Sequence, residues 1–143
     1  MQRRYFMMGT AAASQAVFSQ GANAQVGTAV IGVGNRGGSL LGEVMQQGEA
    51  RVVALCDNKP DRLDKAATRA AKFNPSTTSD WHKIIANKDV DAVYIATPPH
   101  MHVEMAIAAL KAGKHVYCEK PIGTTPEGIR ELVKVARGSK KVF

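Results

Sequence analysis

Between Asp91 and Gly123 the chain reads DAVYIATPPHMHVEMAIAALKAGKHVYCEKPIG, and the side chains in it that can hold or move protons fall into two groups. Thr97-Pro98-Pro99-His100, with His102 close behind, follows one apolar run; Glu119-Lys120-Pro121 follows a second. A helical stretch separates them, so the segment has the form of a strand-helix-strand unit whose loops carry the reactive groups. In an open parallel sheet, ligands bind in the crevice beyond the carboxyl ends of the strands, and both loops lie there.

A second candidate lies earlier. Gly32-Val33-Gly34-Asn35-Arg36-Gly37 follows the apolar run from Thr28 to Ile31 and precedes the amphipathic run from Leu40 to Met45. Strand, glycine turn and helix in that order make a dinucleotide-binding context. Gly32 permits the tight turn, Gly34 lets the backbone approach a pyrophosphate, and Gly37 allows close helix-strand packing. The free N–H groups of the turn, Asn35 among them, then face the anion at the positive end of the helix. Arg36 either adds a cation beside the phosphates or stands as an exposed arginine on the first helical turn. Asp57 ends the next strand 25 residues after Gly32, close to the offset at which a carboxylate accepts from the adenosine ribose hydroxyls. Its charge would repel a 2′-phosphate, which favours NAD, while nearby Lys59 and Arg62 leave NADP possible. Asp57 could instead cap the turn that follows it.

The elements that must position these residues alternate with short connections. Strands are expected at Thr28 to Val33, Arg51 to Cys56, Ala92 to Ala96 and His115 to Cys118, with Thr77-Thr78 as a brief edge strand. Helices are expected over Gly37 to Gln47, Pro60 to Phe73, a short one through Trp81, Ile84 and Ile85, one from His100 ended by Gly113, and one opened by Thr125 and Pro126. Their apolar stripes are Leu63, Ala66, Ala67 and Ala70; Val103, Ala106, Ile107 and Leu110; and Ile129, Leu132, Val133 and Ala136. The fold class is therefore α/β, a doubly wound parallel sheet with right-handed crossovers. Lys141-Val142-Phe143 reads as the start of a sixth strand. In strand order 3-2-1-4-5-6, the ends bearing Cys56 and Cys118 lie three strands apart, roughly 14 Å. Disulfide reach is about 7 Å, so the expectation is two free thiols. His100 and His102, two residues apart at a helix start, point to different faces and serve as polar caps rather than sharing a metal.

A chain of 143 residues holds one such domain. Residues 1–24 read as an export leader: Arg3-Arg4-Tyr5-Phe6-Met7, a mildly apolar stretch from Met8 to Phe18, then Ala22-Asn23-Ala24. The pattern is that of a twin-arginine signal, placing the mature domain, residues 25–143, in the periplasm or outside the cell. The apolar stretch is too short to span a bilayer, which needs ~20 residues. Removing Arg3 and Arg4 takes the formal charge from +7 to about +5, and the remaining cations are scattered. A nucleic-acid partner would call for a basic stripe with interleaved aromatics, which the sequence lacks.

From Val26 to Lys141 the sequence resembles the N-terminal domain of the glucose-fructose oxidoreductase, inositol dehydrogenase and rhizopine-catabolism (Gfo/Idh/MocA) family. IGVGNRG, the Asp-ended second strand, ATPPHMHVEMAIAALKAGKHVYCEKP and the closing helix match in order and spacing, and the long block ending in Glu119-Lys120-Pro121 is the specific part. The resemblance implies a Rossmann-fold NAD(P)-binding domain of an oxidoreductase acting on sugars or polyols. It implies that Thr97, Pro98 and His100 line the nicotinamide-ribose end, that Glu119 helps to hold that end, that Lys120 takes part in catalysis, and that Pro121 follows a cis peptide. The family's second, substrate-binding domain has no counterpart in these residues, so the expectation is a fragment that binds dinucleotide and alone turns over little. An exposed sheet edge would then favour association. Two alternatives stay open: a free-standing dinucleotide-binding module, and part of an enzyme that hydrolyses glycosides through transient NAD oxidation.

Overall fold

The computed structural model describes residues 25–143, and the expected leader lies outside the described residues. The chain runs β1 (Val26–Ile31), α1 (Asn35–Val44), β2 (Ala50–Cys56), α2 (Pro60–Arg69), β3 (Ser76–Thr78), α3 (Trp81–Ala86), β4 (Ala92–Ile95), α4 (His102–Lys111), β5 (His115–Cys118) and α5 (Pro126–Gly138). One five-stranded sheet results, in the order β3-β2-β1-β4-β5, with every pair parallel. After β1 the chain steps outward through β2 to β3, then returns to the other side of β1 for β4 and β5. The reversal between β1 and β4 is the switch point at which a crevice opens beyond the strand ends.

Side chains alternate across each strand, so the sheet carries apolar residues on both faces. On one face Ile31, Ala54, Cys56, Val93, Ile95 and Val116 pack with Ile84 of α3, Met105, Ala106, Ala109 and Leu110 of α4, and Leu132 of α5. On the other, Val30, Val52 and Leu55 pack with Leu41 and Val44 of α1, Ala66 of α2 and Ala70. Burying each such leucine, valine or isoleucine contributes about 1.5–3 kcal/mol, so these two layers hold the strand ends in place.

Several expected boundaries move. α2 stops at Arg69; a 3₁₀ turn, Ala71–Phe73, takes over and Asn74, with φ 49°, ends it in the left-handed region. A 3₁₀ turn, Pro99–Met101, likewise precedes α4, which starts at His102. The fully buried face of α4 is His102, Met105, Ala106, Ala109 and Leu110, with Val103 and Ile107 only partly covered. On α5, Val133 is 39% exposed and Val135 takes its place against the core. Thr125 caps that helix as expected, its Oγ1 accepting from the Gly128 N–H at 3.2 Å. Among the described residues no sixth strand forms. Val142 lies beside β5 through one backbone bond, Val116 N–H to the Val142 carbonyl at 2.9 Å, and its own N–H donates to His115 Nδ1 at 3.0 Å, which is too little pairing for a ladder.

Lys114, just before β5, is buried, and its ammonium donates to the carbonyls of Asn87 and Val90, each at 2.7 Å. It ties the entry of β5 to the segment between α3 and β4. Cys56 and Cys118 stand at the ends of β2 and β5, three strands apart, and both are free. Burial, reinforced by Asp57, pushes the Cys56 thiol up to about 11, and burial with Glu119 does the same for Cys118. No helix among the described residues is long and apolar enough to cross a membrane.

Candidate functional site

Gly32 leaves β1 at φ 85°, and a Cβ there would stand 2.7 Å from the Ala96 carbonyl oxygen at the end of β4. At Gly37 a Cβ would stand 1.7 Å from the Gly32 oxygen. Neither position admits a side chain, so the turn and the start of α1 lie hard against the strand ends. Gly34 differs: its φ is −68°, and an added Cβ would meet only the flexible Arg62 guanidinium, with Nη1 at 3.2 Å. Gly34 is the N-cap of α1 with no capping side chain, and the first turn carries no acid. The positive end of α1 therefore faces the crevice without a counter-charge from its own residues.

Asp57 caps the turn that follows it, the second of the two roles its position offered, and also braces the glycine turn. One carboxylate oxygen accepts from the Val33 N–H at 2.8 Å and the other from the Lys59 N–H at 2.9 Å, so it buttresses the glycine turn and caps the turn after β2. A carboxylate offers about four acceptor sites, which leaves capacity toward a ligand. With Gly32, Gly34, Asn35, Arg62, Pro98 and His100, Asp57 lines a crevice of about 620 Å³, whose apolar lining comes from Trp81, Met101 and Met105.

Beside it lies a second cavity of about 610 Å³, which shares Arg36, Ala96 and Thr97 with the first and adds His102, Tyr117, Glu119 and Lys120. The Lys120-Pro121 peptide is cis. Thr97 presents its backbone more than its hydroxyl, which donates to Met105 Sδ at 3.5 Å. Arg36 reaches across from α1 to Glu119, Nε to Oε1 at 2.5 Å, and the Tyr117 hydroxyl donates to the same oxygen at 3.2 Å. Glu119 Oε2 accepts from the Lys120 N–H at 3.2 Å. The hydrogen bond from Arg36, then those from Lys120 and Tyr117, holds the Glu119 carboxyl below the usual carboxylate range, and the same pair raises Arg36. Arg36 thus pairs with Glu119 at the end of β5, with Glu43 of its own helix 4.0 Å from Nη1. His100 and His102 do part company: His100 is exposed on the 3₁₀ turn, whereas His102 is buried under it and is no exposed cap.

Residues 26–143 match the family model described as "Oxidoreductase family, NAD-binding Rossmann fold", the Gfo/Idh/MocA family. The chain belongs to that family. Among curated relatives it is 35% identical over 127 residues to a glycosyl hydrolase family 109 protein of Saccharopolyspora erythraea, covering 84% of this chain and 28% of that protein. It is 52% identical over 73 residues to the levoglucosan dehydrogenase of Pseudarthrobacter phenanthrenivorans, covering 51% of this chain and 18% of the relative. Among solved structures it is similar to the WlbA dehydrogenase of Bordetella pertussis in complex with NADH and UDP-GlcNAcA, with TM-score 0.74, 28% identity, and coverage of 83% of this chain and 35% of that one. The chain spans about a third or less of the length of these proteins.

As the NAD-binding Rossmann domain of this family, the chain has a crevice whose donor set fits the cofactor. The bare Gly34 and the uncapped start of α1 suit the pyrophosphate, and Asp57 suits a ribose diol. Three residues escaped the sequence reading. Tyr117 was hidden in an apolar strand, although the period-2 alternation that buries Val116 turns Tyr117 toward the opposite face. Trp81 looked like core only, and His102 looked like a cap.

Gly34→Val is expected to keep the fold at a cost of about 1 kcal/mol, while titration calorimetry shows NAD affinity down by at least about tenfold. Undiminished NAD affinity would remove the turn from the site. In a carbon-detected NMR titration Glu119 is expected to protonate below the ordinary range, and Arg36→Ala to move it back up. The bridge is therefore present above the depressed value and is lost as pH falls through it.

Proposed function

We propose that this chain is the cofactor-binding part of an NAD-dependent oxidoreductase acting on a sugar or polyol. The observation that carries the reading is the second cavity: Lys120, Glu119 and the Thr97 loop converge on a space that adjoins the dinucleotide crevice. Pro98 and His100, on the crevice side of that loop, complete the wall at the nicotinamide-ribose end. When bound, NAD accepts a hydride from a carbinol carbon or returns one to a ketone. The side chain of Lys120, exposed at the cavity, is placed to donate a hydrogen bond to the substrate oxygen and to hold or move its proton. Glu119, kept ionised by Arg36 and Tyr117, accepts hydrogen bonds from ribose hydroxyls with its spare lone pairs. Lys59 and Arg62, beside Asp57, would allow NADP as a second cofactor.

The matched relatives favour one further reading. A protein named for glycosyl hydrolase family 109 aligns over 84% of this chain, so the same oxidation could serve net glycoside hydrolysis, with the hydride returned before product release. Export by the twin-arginine route is also proposed, supported by Arg3-Arg4 and Ala22-Asn23-Ala24; it would carry the domain out already folded around its cofactor.

In the full-length protein Lys120→Ala is expected to lower turnover of a sugar or polyol by about 10²- to 10⁴-fold with NAD affinity nearly unchanged. NADH absorbance would follow the dehydrogenase reaction, and aglycone release without NADH build-up would mark the hydrolase. Turnover that Lys120→Ala leaves intact would defeat the proposed role. Replacing Arg3 and Arg4 together by lysine is expected to hold the unprocessed chain in the cytoplasm, which cell fractionation would reveal; export at the normal level would rule out the twin-arginine route.

A further inference from the structure

His102 opens α4 and is 1% exposed. Its Nδ1 lies 2.8 Å from the Pro121 carbonyl oxygen and its Nε2 2.7 Å from the Thr97 carbonyl oxygen. Carbonyl oxygens only accept. A neutral imidazole has one N–H and one lone pair, so it satisfies one of these carbonyls and sets its lone pair against the other. Only a ring carrying both protons donates to both.

The two carbonyls belong to the two loops that frame the cavity with Lys120. Thr97 follows β4; Pro121 follows Lys120 directly, after β5. The last ladder bond between these strands is Glu119 N–H to the Ile95 carbonyl at 2.9 Å, and past it the imidazole carries the link onward. His102 is buried against both loops at the edge of the cavity that they frame.

We propose that His102, holding both ring protons, is a positioning residue for the nicotinamide end: it clamps the Thr97 carbonyl to the Pro121 carbonyl and so sets the separation of the loop that faces the ring and the loop that bears Lys120. The clamp's purpose rests on the reading of that cavity as the nicotinamide and substrate end. The clamp itself rests only on the geometry of the ring.

Two measurements on the full chain test it. With nitrogen-15-labelled histidine, NMR at neutral pH is expected to show one ring with both nitrogens protonated and slow to exchange, among the four histidines of the sequence. This needs no variant, and a buried ring with a single proton would overturn the double donor. Calorimetry of His102→Gln, which keeps much of the volume but puts an oxygen against one carbonyl, is expected to show NAD affinity down by about tenfold or more. ADP, which lacks the nicotinamide half, should bind as it does to the wild type. NAD and ADP weakened together would mean that His102 merely supports the fold, and NAD unaffected would mean that it positions nothing. A wild-type chain that binds NAD no better than ADP would instead defeat the placement of the nicotinamide end, and with it the positioning role.

Discussion

The closeness of three backbone segments, at Gly32, Gly37 and Ala96, governs the rest of this structure. With a Cβ of Gly37 at 1.7 Å from the Gly32 oxygen, and one of Gly32 at 2.7 Å from the Ala96 oxygen, any side chain at either position would push α1 away from the sheet. Because none is there, the amino end of α1 sits directly over the ends of β1 and β4, at the point where the strand order reverses. The anion-attracting end of a helix is thereby placed in the one location where an open parallel sheet leaves a crevice. Asp57 reinforces the arrangement from the other side by accepting from the Val33 N–H inside the turn.

One ion pair reaches across this crevice. Arg36 comes from the glycine turn and Glu119 from the end of β5, and their bond spans the two halves of the sheet. Arg36 is half exposed while the Glu119 side chain is 12% exposed, so the pair is screened on one side only and its contribution to stability is small. Its consequence is local. Glu119 stays ionised and oriented, with Tyr117 and the Lys120 N–H on its two oxygens. Tyr117 is itself held against Tyr94 of the neighbouring strand, ring centroids 5.5 Å apart. A bound dinucleotide would enter a site already supplied with an oriented carboxylate, so less order has to be imposed on binding.

Buried polar contacts complete the frame. Lys114 and His102 are both enclosed; the ammonium of Lys114 donates to the Asn87 and Val90 carbonyls, and the ring nitrogens of His102 stand 2.7 and 2.8 Å from the Thr97 and Pro121 carbonyl oxygens. Side chains of this kind are costly to bury without partners and directional once partnered. Lys114 ties the start of β5 to the segment before β4, and His102 lies between the two loops at its end.

Much of this was legible in the sequence because it depends on neighbours in the chain. The glycine spacing, the Asp at the end of β2, the strand order, the Thr125 cap and the free cysteines all follow from periodicity and turn chemistry over a few residues, or from topology rules that leave few options. The ends of α2 and α4 were not, because the 3₁₀ turns there answer to packing and to the left-handed Asn74 rather than to the apolar period. The Arg36 to Glu119 bridge joins residues 83 positions apart, and the His102 contacts reach 5 residues back and 19 forward. By itself the sequence determined the class of fold and the glycine turn at its crevice, since hydrophobic period and glycine sterics are local. Only the tertiary structure decided that Arg36 faces a carboxylate, that His102 is buried between two loop carbonyls rather than serving as a polar cap, and that Tyr117 reaches Glu119, because hydrogen-bond partners are chosen by proximity in space.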